Sequence, residues 1–83
     1  MTRPPLKLIE WEDAFNGDHE WTSLDDIPET IEAMLMTTVG FEVRRNAERV
    51  TLSMSYGARK DDPRCCDLFT IPIAMIRRER TLR

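Results

Sequence analysis

The chain has 83 residues, of which 41% are hydrophobic and 33% charged, and its formal net charge at pH 7 is −3. A chain of this size is expected to form one small domain over residues 1–83, with a thin core. It holds no apolar run of the roughly 20 residues that a membrane-spanning helix needs, and no secretory leader is recognisable. The composition therefore predicts a cytoplasmic protein that makes no contact with a membrane.

The two parts of the chain carry opposite charge. Residues 1–33 hold nine carboxylates against two basic residues, a net charge of −7, whereas residues 34–83 hold ten basic residues against six acidic ones, a net charge of +4. An acidic chain is a poor candidate for non-specific nucleic-acid binding, because phosphate contacts reward a positive surface. Either the two parts neutralise each other across the fold, or the basic part presents a patch of arginines.

The first strand is predicted over residues 6–12, "LKLIEWE", where apolar and polar residues alternate. The alternation changes phase at Leu8–Ile9, which predicts either a bulge or a twisted strand that turns from one face to the other. A long loop follows. Ser23 is placed to cap one helical turn through Asp26, and Trp21 either packs on the core or stands exposed.

Alternation predicts a β-hairpin in the middle of the chain, with Gly40 at a sharp bend of its first strand. Its loop is "NAE", in which Asn46 is expected to adopt a left-handed conformation. The predicted core-facing residues are Leu35, Thr37, Val39, Phe41 and Val43 on the first strand and Val50, Leu52, Met54 and Tyr56 on the second.

A polar loop is predicted next, and it contains Cys65 and Cys66. Adjacent cysteines rarely form a disulfide, so one is expected to face inward as a small apolar residue and the other outward. The only histidine is His19, which leaves too few ligands for a metal site, and no cofactor is predicted.

The closing stretch "DLFTIPIAMIRRERTLR" predicts a strand, a single 3₁₀ turn at "IAM" and a final strand with Ile76 and Leu82 as its apolar points. A helix over residues 73–83 is the alternative, because methionine, arginine and glutamate favour helices. Strict alternation would turn Arg77 to solvent and place Arg78 and Arg80 on the Ile76 side. Small barrels of the Sm and Src-homology type finish in a similar way, so the predicted fold is mainly β, a small five-stranded barrel with one long loop carrying a short helical turn.

The order of "IEWEDA", Trp21, "TTVGFEVRR", "RVTLSMSY" and "FTIPIAMI" resembles that of a group of small phage and prophage proteins. Their pattern has tryptophan where this chain has Phe41. The resemblance implies a phage origin, with the host cytoplasm as location, and a small β-barrel. It implies no catalytic residue.

The sequence holds no constellation of nucleophile, base and metal, nor a glycine-rich phosphate loop, which argues against an enzyme. The first hypothesis is a non-catalytic phage-encoded binding protein that engages a host protein or a defence complex. Its acidic loop would make the contact, through Trp21, Glu20, Asp25 and Asp26.

The second hypothesis is a module that binds a nucleotide or oligonucleotide along a basic edge, sequestering a small nucleotide or contacting nucleic acid. The residues of that edge would be Arg44, Arg45, Arg49, Tyr56, Arg77, Arg78 and Arg80. The sequence leaves the oligomeric state open.

Overall fold

A computed structural model describes residues 3–14, 21–27 and 33–83, and these contain one antiparallel sheet of five strands. The strands are β1 Leu6–Asp13, β2 Met34–Arg45, β3 Arg49–Gly57, β4 Arg64–Pro72 and β5 Ile76–Thr81. Two short 3₁₀ turns, Leu24–Asp26 and Ile73–Met75, complete the secondary structure of this part of the chain. None of its helical segments has the length and apolar character needed to cross a bilayer.

The strand order is β4-β3-β2-β1-β5, so the sheet has two free edges, β4 and β5. The predicted closed barrel is wrong, because these edge strands do not pair with each other. The turn Ile73–Met75 instead carries the chain from one edge to the other and is held by the Ile73 N–H, which donates to the Glu48 carbonyl at 2.8 Å. The predicted succession of strand, 3₁₀ turn and strand is confirmed, and the alternative helix over residues 73–83 is wrong.

The core lies on one face of the sheet. It consists of Ile9, Trp11, Val50, Leu52 and Ile71, against which Met36, Ile73 and Ile76 pack. The Trp11 and Phe69 ring centroids lie 5.6 Å apart, although two strands separate β1 from β4 in the sheet. The sheet is therefore strongly curved around this face, which we call the inner face.

The predicted core face of β2 is wrong. Met36 lies opposite Trp11, and Thr38 opposite Ile9, so these residues face inward. Thr38 accepts a hydrogen bond from the Trp11 indole at 2.9 Å. Val39 is on the outer face and 44% exposed. On β3 the predicted phase is confirmed for Val50 and Leu52, which are fully buried, although Met54 is exposed.

A bulge sets the orientation of β5. No irregularity occurs at Leu8–Ile9, where a bulge was one of the two predicted alternatives, because β1 pairs with β2 without interruption. Instead, Trp11 lies opposite Ile76 while Glu10 lies opposite Arg78, which leaves Arg77 as the extra residue of β5. The extra residue reverses the alternation. Arg78 and Arg80 consequently lie on the outer face rather than on the Ile76 side.

The β2–β3 hairpin is confirmed, with a three-residue loop, but Asn46 stabilises it differently from the prediction. Among the described non-glycine residues only Asp67 has a positive φ, at 57°. Asn46 acts through its side-chain oxygen, which accepts hydrogen bonds from the Glu48 and Arg49 N–H groups, both at 2.8 Å. Such bonds make asparagine a frequent turn residue.

Gly40 permits close contact between β2 and β3. A Cβ at this position would lie 2.9 Å from the Met54 Cε, 3.0 Å from the Leu52 Cβ and 3.1 Å from the Ser53 carbonyl oxygen. The methionine end can move, but the other two atoms belong to the sheet itself. A Cβ at Gly57 would meet only the Arg64 carbonyl oxygen, at 3.8 Å.

We therefore expect Gly40→Ala to lower the free energy of unfolding by about 1–3 kcal/mol, because a methyl group must be forced into a filled space. Gly57→Ala is the matched control and is expected to change it by less than about 0.5 kcal/mol. Urea unfolding followed by circular dichroism measures both. Equal effects of the two substitutions would contradict the close contact at Gly40.

Candidate functional site

The segment between β1 and β2 exposes large apolar side chains beside acidic ones. Ser23 precedes the 3₁₀ turn Leu24–Asp26, as predicted, and the Asp26 N–H donates to the Ser23 carbonyl at 3.0 Å, although the serine side chain makes no capping bond. Trp21 is fully exposed and Leu24 nearly so, which decides between the two alternatives for Trp21 in favour of exposure. Glu20, another predicted contact residue, lies outside the described residues.

The start of β2 also exposes large apolar side chains. Met34 and Leu35, the first residues of that strand, are at least half exposed, and Ile27 is also exposed. We call residues 21–27 together with 33–35 the β1–β2 tip. It contains the predicted Asp25 and Asp26, and Asp13 ends the strand paired with its β2 part. The tip thus combines apolar contact area with negative charge.

Most arginines of the predicted basic edge are bound to carboxylates. Arg77 donates to Glu12 at 2.7 Å and to the Ala74 carbonyl at 3.1 Å. Arg78 donates to Glu10 at 2.8 Å, and this hydrogen bond, with the attraction between the charges, raises the pKa of Arg78. Arg49, also a residue of the predicted edge, makes a weaker contact with Glu48 at 3.7 Å.

Arg45 belongs to a four-residue ion cluster on the inner face. Its guanidinium lies 2.8 Å from Glu42 and 2.7 Å from Glu79, whose carboxylate also lies 3.0 Å from the Lys7 ammonium. The hydrogen bond to Glu42 is the main cause that raises the pKa of Arg45. Burial acts to raise the pKa of Glu79, but the bonds and charges of Lys7 and Arg45 together outweigh it and lower that pKa. The cluster joins β1, β2 and β5.

The lowered pKa of Glu79 makes part of the stability pH-dependent. The ionised cluster stabilises the fold fully above the ordinary pKa of about 4.5, and this contribution is lost as the pH falls through the lower pKa of the folded state. We expect Glu79→Gln to lower the free energy of unfolding by about 1 kcal/mol at neutral pH. The difference from the wild type should shrink below pH 4.5.

Urea unfolding between neutral and strongly acidic pH measures this difference. Glu48→Gln is the control, since that side chain is 78% exposed and its arginine lies 3.7 Å away. It should show no such pH dependence. A Glu79→Gln effect that is constant at every pH would show that the charge of Glu79 has no stabilising role.

The other two arginines of the predicted edge are placed differently. No carboxylate pairs with Arg44 or Arg80 within residues 3–14, 21–27 and 33–83. The pairing of β2 with β3 shifts between Glu42 and Arg44, so Val43 is the extra residue of a second bulge. This bulge turns Arg44 away from the ion cluster.

Arg44 and Tyr56 lie in the same cleft, of about 460 Å³. Tyr56 is half-buried, and its ring centroid lies 6.0 Å from that of Phe41. Arg64 from β4 joins them and contacts Asp62 at 2.8 Å. The complete lining is Pro4, Glu42, Val43, Arg44, Tyr56, Pro63, Arg64 and Cys65.

Arg64 was not a predicted site residue. The sequence places it in a polar loop, whereas in the structure it begins β4 opposite Gly57. The predicted strand that ends at Tyr56 could have indicated Arg64. If the pairing of Leu52 with Phe69 is continued along both strands, Cys65 lies opposite Tyr56 and Arg64 lies next to it, opposite Gly57.

Both cysteines are exposed free thiols on β4, so the predicted inward orientation of one of them is wrong. They pair with Tyr56 and Ser55, near the end of the β3–β4 ladder and away from the core. Among the described residues no group of three or more histidine, cysteine or carboxylate side chains could hold a metal ion. His19 lies outside them.

Comparison with known proteins adds no relative. No protein-family model, curated protein or solved structure gives a significant match to the chain. The resemblance to small phage proteins stays a prediction, and only the geometry of the described residues bears on function.

Proposed function

We propose that the chain is a non-catalytic binding protein that docks its β1–β2 tip on a basic surface of a partner protein. The observation that carries this proposal is the full exposure of Trp21 beside the exposed Leu24. A tryptophan exposes a large apolar area to water, and burying such a residue in a partner pocket commonly supplies 2 kcal/mol or more, as an order of magnitude.

The charge of the tip defines the kind of partner. Asp25 and Asp26 follow Leu24 directly, and residues 1–33 carry a net charge of −7. A partner with an apolar pocket and a basic rim is complementary to this arrangement, and such complementarity speeds association. The resemblance to small phage proteins favours a host protein or a host defence complex as that partner.

The scaffold suits such a role. The strand order and the single turn before β5 support an open sheet of the Sm or Src-homology type, not closed into a barrel, as the finer description of the fold. Asp13 and Met34 form the last pair of the β1–β2 ladder, and the core cluster contains no residue of the tip. Binding energy gained at the tip can therefore be altered without altering the core residues.

The test begins with capture of a bacterial host protein on the purified chain, followed by measurement of its affinity for variants. Trp21→Ser is expected to weaken binding by about thirtyfold, the equivalent of about 2 kcal/mol. Asp25→Asn with Asp26→Asn should slow association and reduce its dependence on salt. Unchanged melting temperatures would show that the variants remain folded.

Leu68→Ser is the matched control, because Leu68 is 61% exposed on β4 and lies far from the tip in the sheet. It should leave the affinity unchanged. Equal losses for Trp21→Ser and Leu68→Ser would indicate non-specific apolar adhesion and overturn the proposal. Undiminished binding by Trp21→Ser would do the same.

A further inference from the structure

The cleft beside the second bulge is a separate feature from the β1–β2 tip. We infer that it binds a small phosphorylated aromatic ligand, a mononucleotide, with Arg44 and Arg64 on the phosphate and Tyr56 against the base. Its volume of about 460 Å³ lies within the range of small-molecule sites.

Arg44 supplies a guanidinium without a competing carboxylate in the described part of the chain. The shift of pairing between Glu42 and Arg44 sends these neighbours to different partners, since Glu42 contacts Arg45 and Arg44 lines the cleft. Bulges often redirect a side chain next to a binding site. A guanidinium recognises phosphate oxygens through two parallel hydrogen bonds.

Arg64 can exchange its present partner for a phosphate. Its contact with Asp62 joins two side chains that are 72% and 54% exposed, and such exposed pairs contribute little to stability. A doubly charged phosphate held together with Arg44 competes well against that single exposed carboxylate. Glu42 also lines the cleft, but Arg45 donates to it at 2.8 and 3.1 Å and offsets its repulsion of an anion.

Tyr56 offers an aromatic surface in a fixed position. Contact with the Phe41 ring restrains it, and the residue also lines the cleft. Base stacking on such a ring favours binding and tolerates different bases. Pro4, Pro63 and Cys65 supply the less polar walls.

Three other arginines of the predicted edge do not extend this site into a track for a polynucleotide. Arg45, Arg77 and Arg78 are bound to carboxylates at 2.7–2.8 Å. The net charge of −3 likewise disfavours an extended phosphate backbone. The observations therefore favour one phosphate and one base.

Isothermal titration of the full chain with AMP, GMP, CMP, UMP, adenosine and inorganic phosphate tests the inference. Binding of at least one mononucleotide is expected, with weaker binding of phosphate alone and of adenosine alone. Arg44→Gln should weaken mononucleotide binding about tenfold or more. Tyr56→Leu should weaken it as well, whereas Tyr56→Phe should retain it because the ring remains.

Arg80→Gln is the matched control. It removes the same charge from an arginine that likewise has no carboxylate partner among the described residues, but it lies outside the cleft. Unchanged affinity is expected. Equal losses for Arg44→Gln and Arg80→Gln, absence of mononucleotide binding at millimolar concentration, or tighter binding of a single-stranded oligonucleotide through Arg80 would each overturn the inference.

Discussion

Leu52→Asp is expected to unfold the protein at room temperature, whereas Val39→Asp is expected to leave it folded. Leu52 is fully buried on the inner face. The aspartate would leave a cavity and an unpaired charge in the core, at a cost of at least about 4 kcal/mol. A domain of this length has a total stability of about 4–12 kcal/mol, so much or all of it would be lost.

Val39 is the matched control because alternation alone predicts the same burial for both residues. Its side chain is 44% exposed on the outer face, opposite Leu8. An aspartate there can reach water and should cost about 1 kcal/mol or less. Thermal melts followed by circular dichroism distinguish the two variants. A larger effect of Val39→Asp would mean that the outer face of β2 is the core face.

The contrast between these residues shows why the core face of β2 could not be predicted. Leu35, Val39 and Phe41 are more hydrophobic than the residues that actually face inward. The inward-facing residues instead match their neighbours in shape and hydrogen bonding. Thr38 accepts a hydrogen bond from the Trp11 indole, and Gly40 leaves the space that Leu52 occupies. Neither requirement is visible until β1 and β3 are placed on either side.

The strands themselves could be predicted because their signals are local. Alternation marks β1 and β3, and "NAE" separates the two strands of the hairpin. Pro72 and the short "IAM" run indicate the last turn. The orientation of β5 depends instead on the bulge at Arg77, which exists only in its pairing with β1. Barrel closure likewise depends on how the distant edges meet.

The burial of Ser53 is another consequence of strand pairing, here between β3 and β4. Its hydroxyl lies 2.6 Å from the Ser55 carbonyl oxygen and 2.7 Å from that of Cys66, and it accepts a bond from the Cys66 N–H. These contacts lie beside Asp67, the residue with positive φ. A polar residue is buried here because its hydrogen bonds are satisfied, which alternation cannot indicate.

The candidate sites were predictable to different degrees. For Trp21 the sequence left two alternatives open, exposure and packing on the core. The acidic residues near it were evident from the sequence. Arg44 and Tyr56 were named together, but on an edge shared with arginines that the structure pairs with Glu10, Glu12, Glu42 and Glu79. Carboxylates on distant strands decide which arginines remain available, and their positions follow only from the assembled sheet.

Deleting residues 76–83 is expected to abolish the cooperative thermal melt and cause aggregation. β5 pairs with β1 on the side opposite β2, and its Ile76 lies opposite Trp11. The deletion also removes Glu79 from the ion cluster and the bonds of residues 82 and 83 with Leu6, including the Leu82 N–H to the Leu6 carbonyl at 2.7 Å. The core would lose cover and β1 would become an unprotected edge.

A triple substitution distinguishes this structural role from that of a basic recruiting tail. Changing Arg77, Arg78 and Arg80 to glutamine removes three of the four positive side-chain charges of residues 76–83 but preserves every backbone bond of β5. It breaks two exposed ion pairs, which contribute little to stability, so a native melt is expected. If the segment were a tail, the truncated chain would instead melt like the wild type. Because Ile76 packs on the core, we expect the truncated chain to show no cooperative transition and the glutamine variant to retain one.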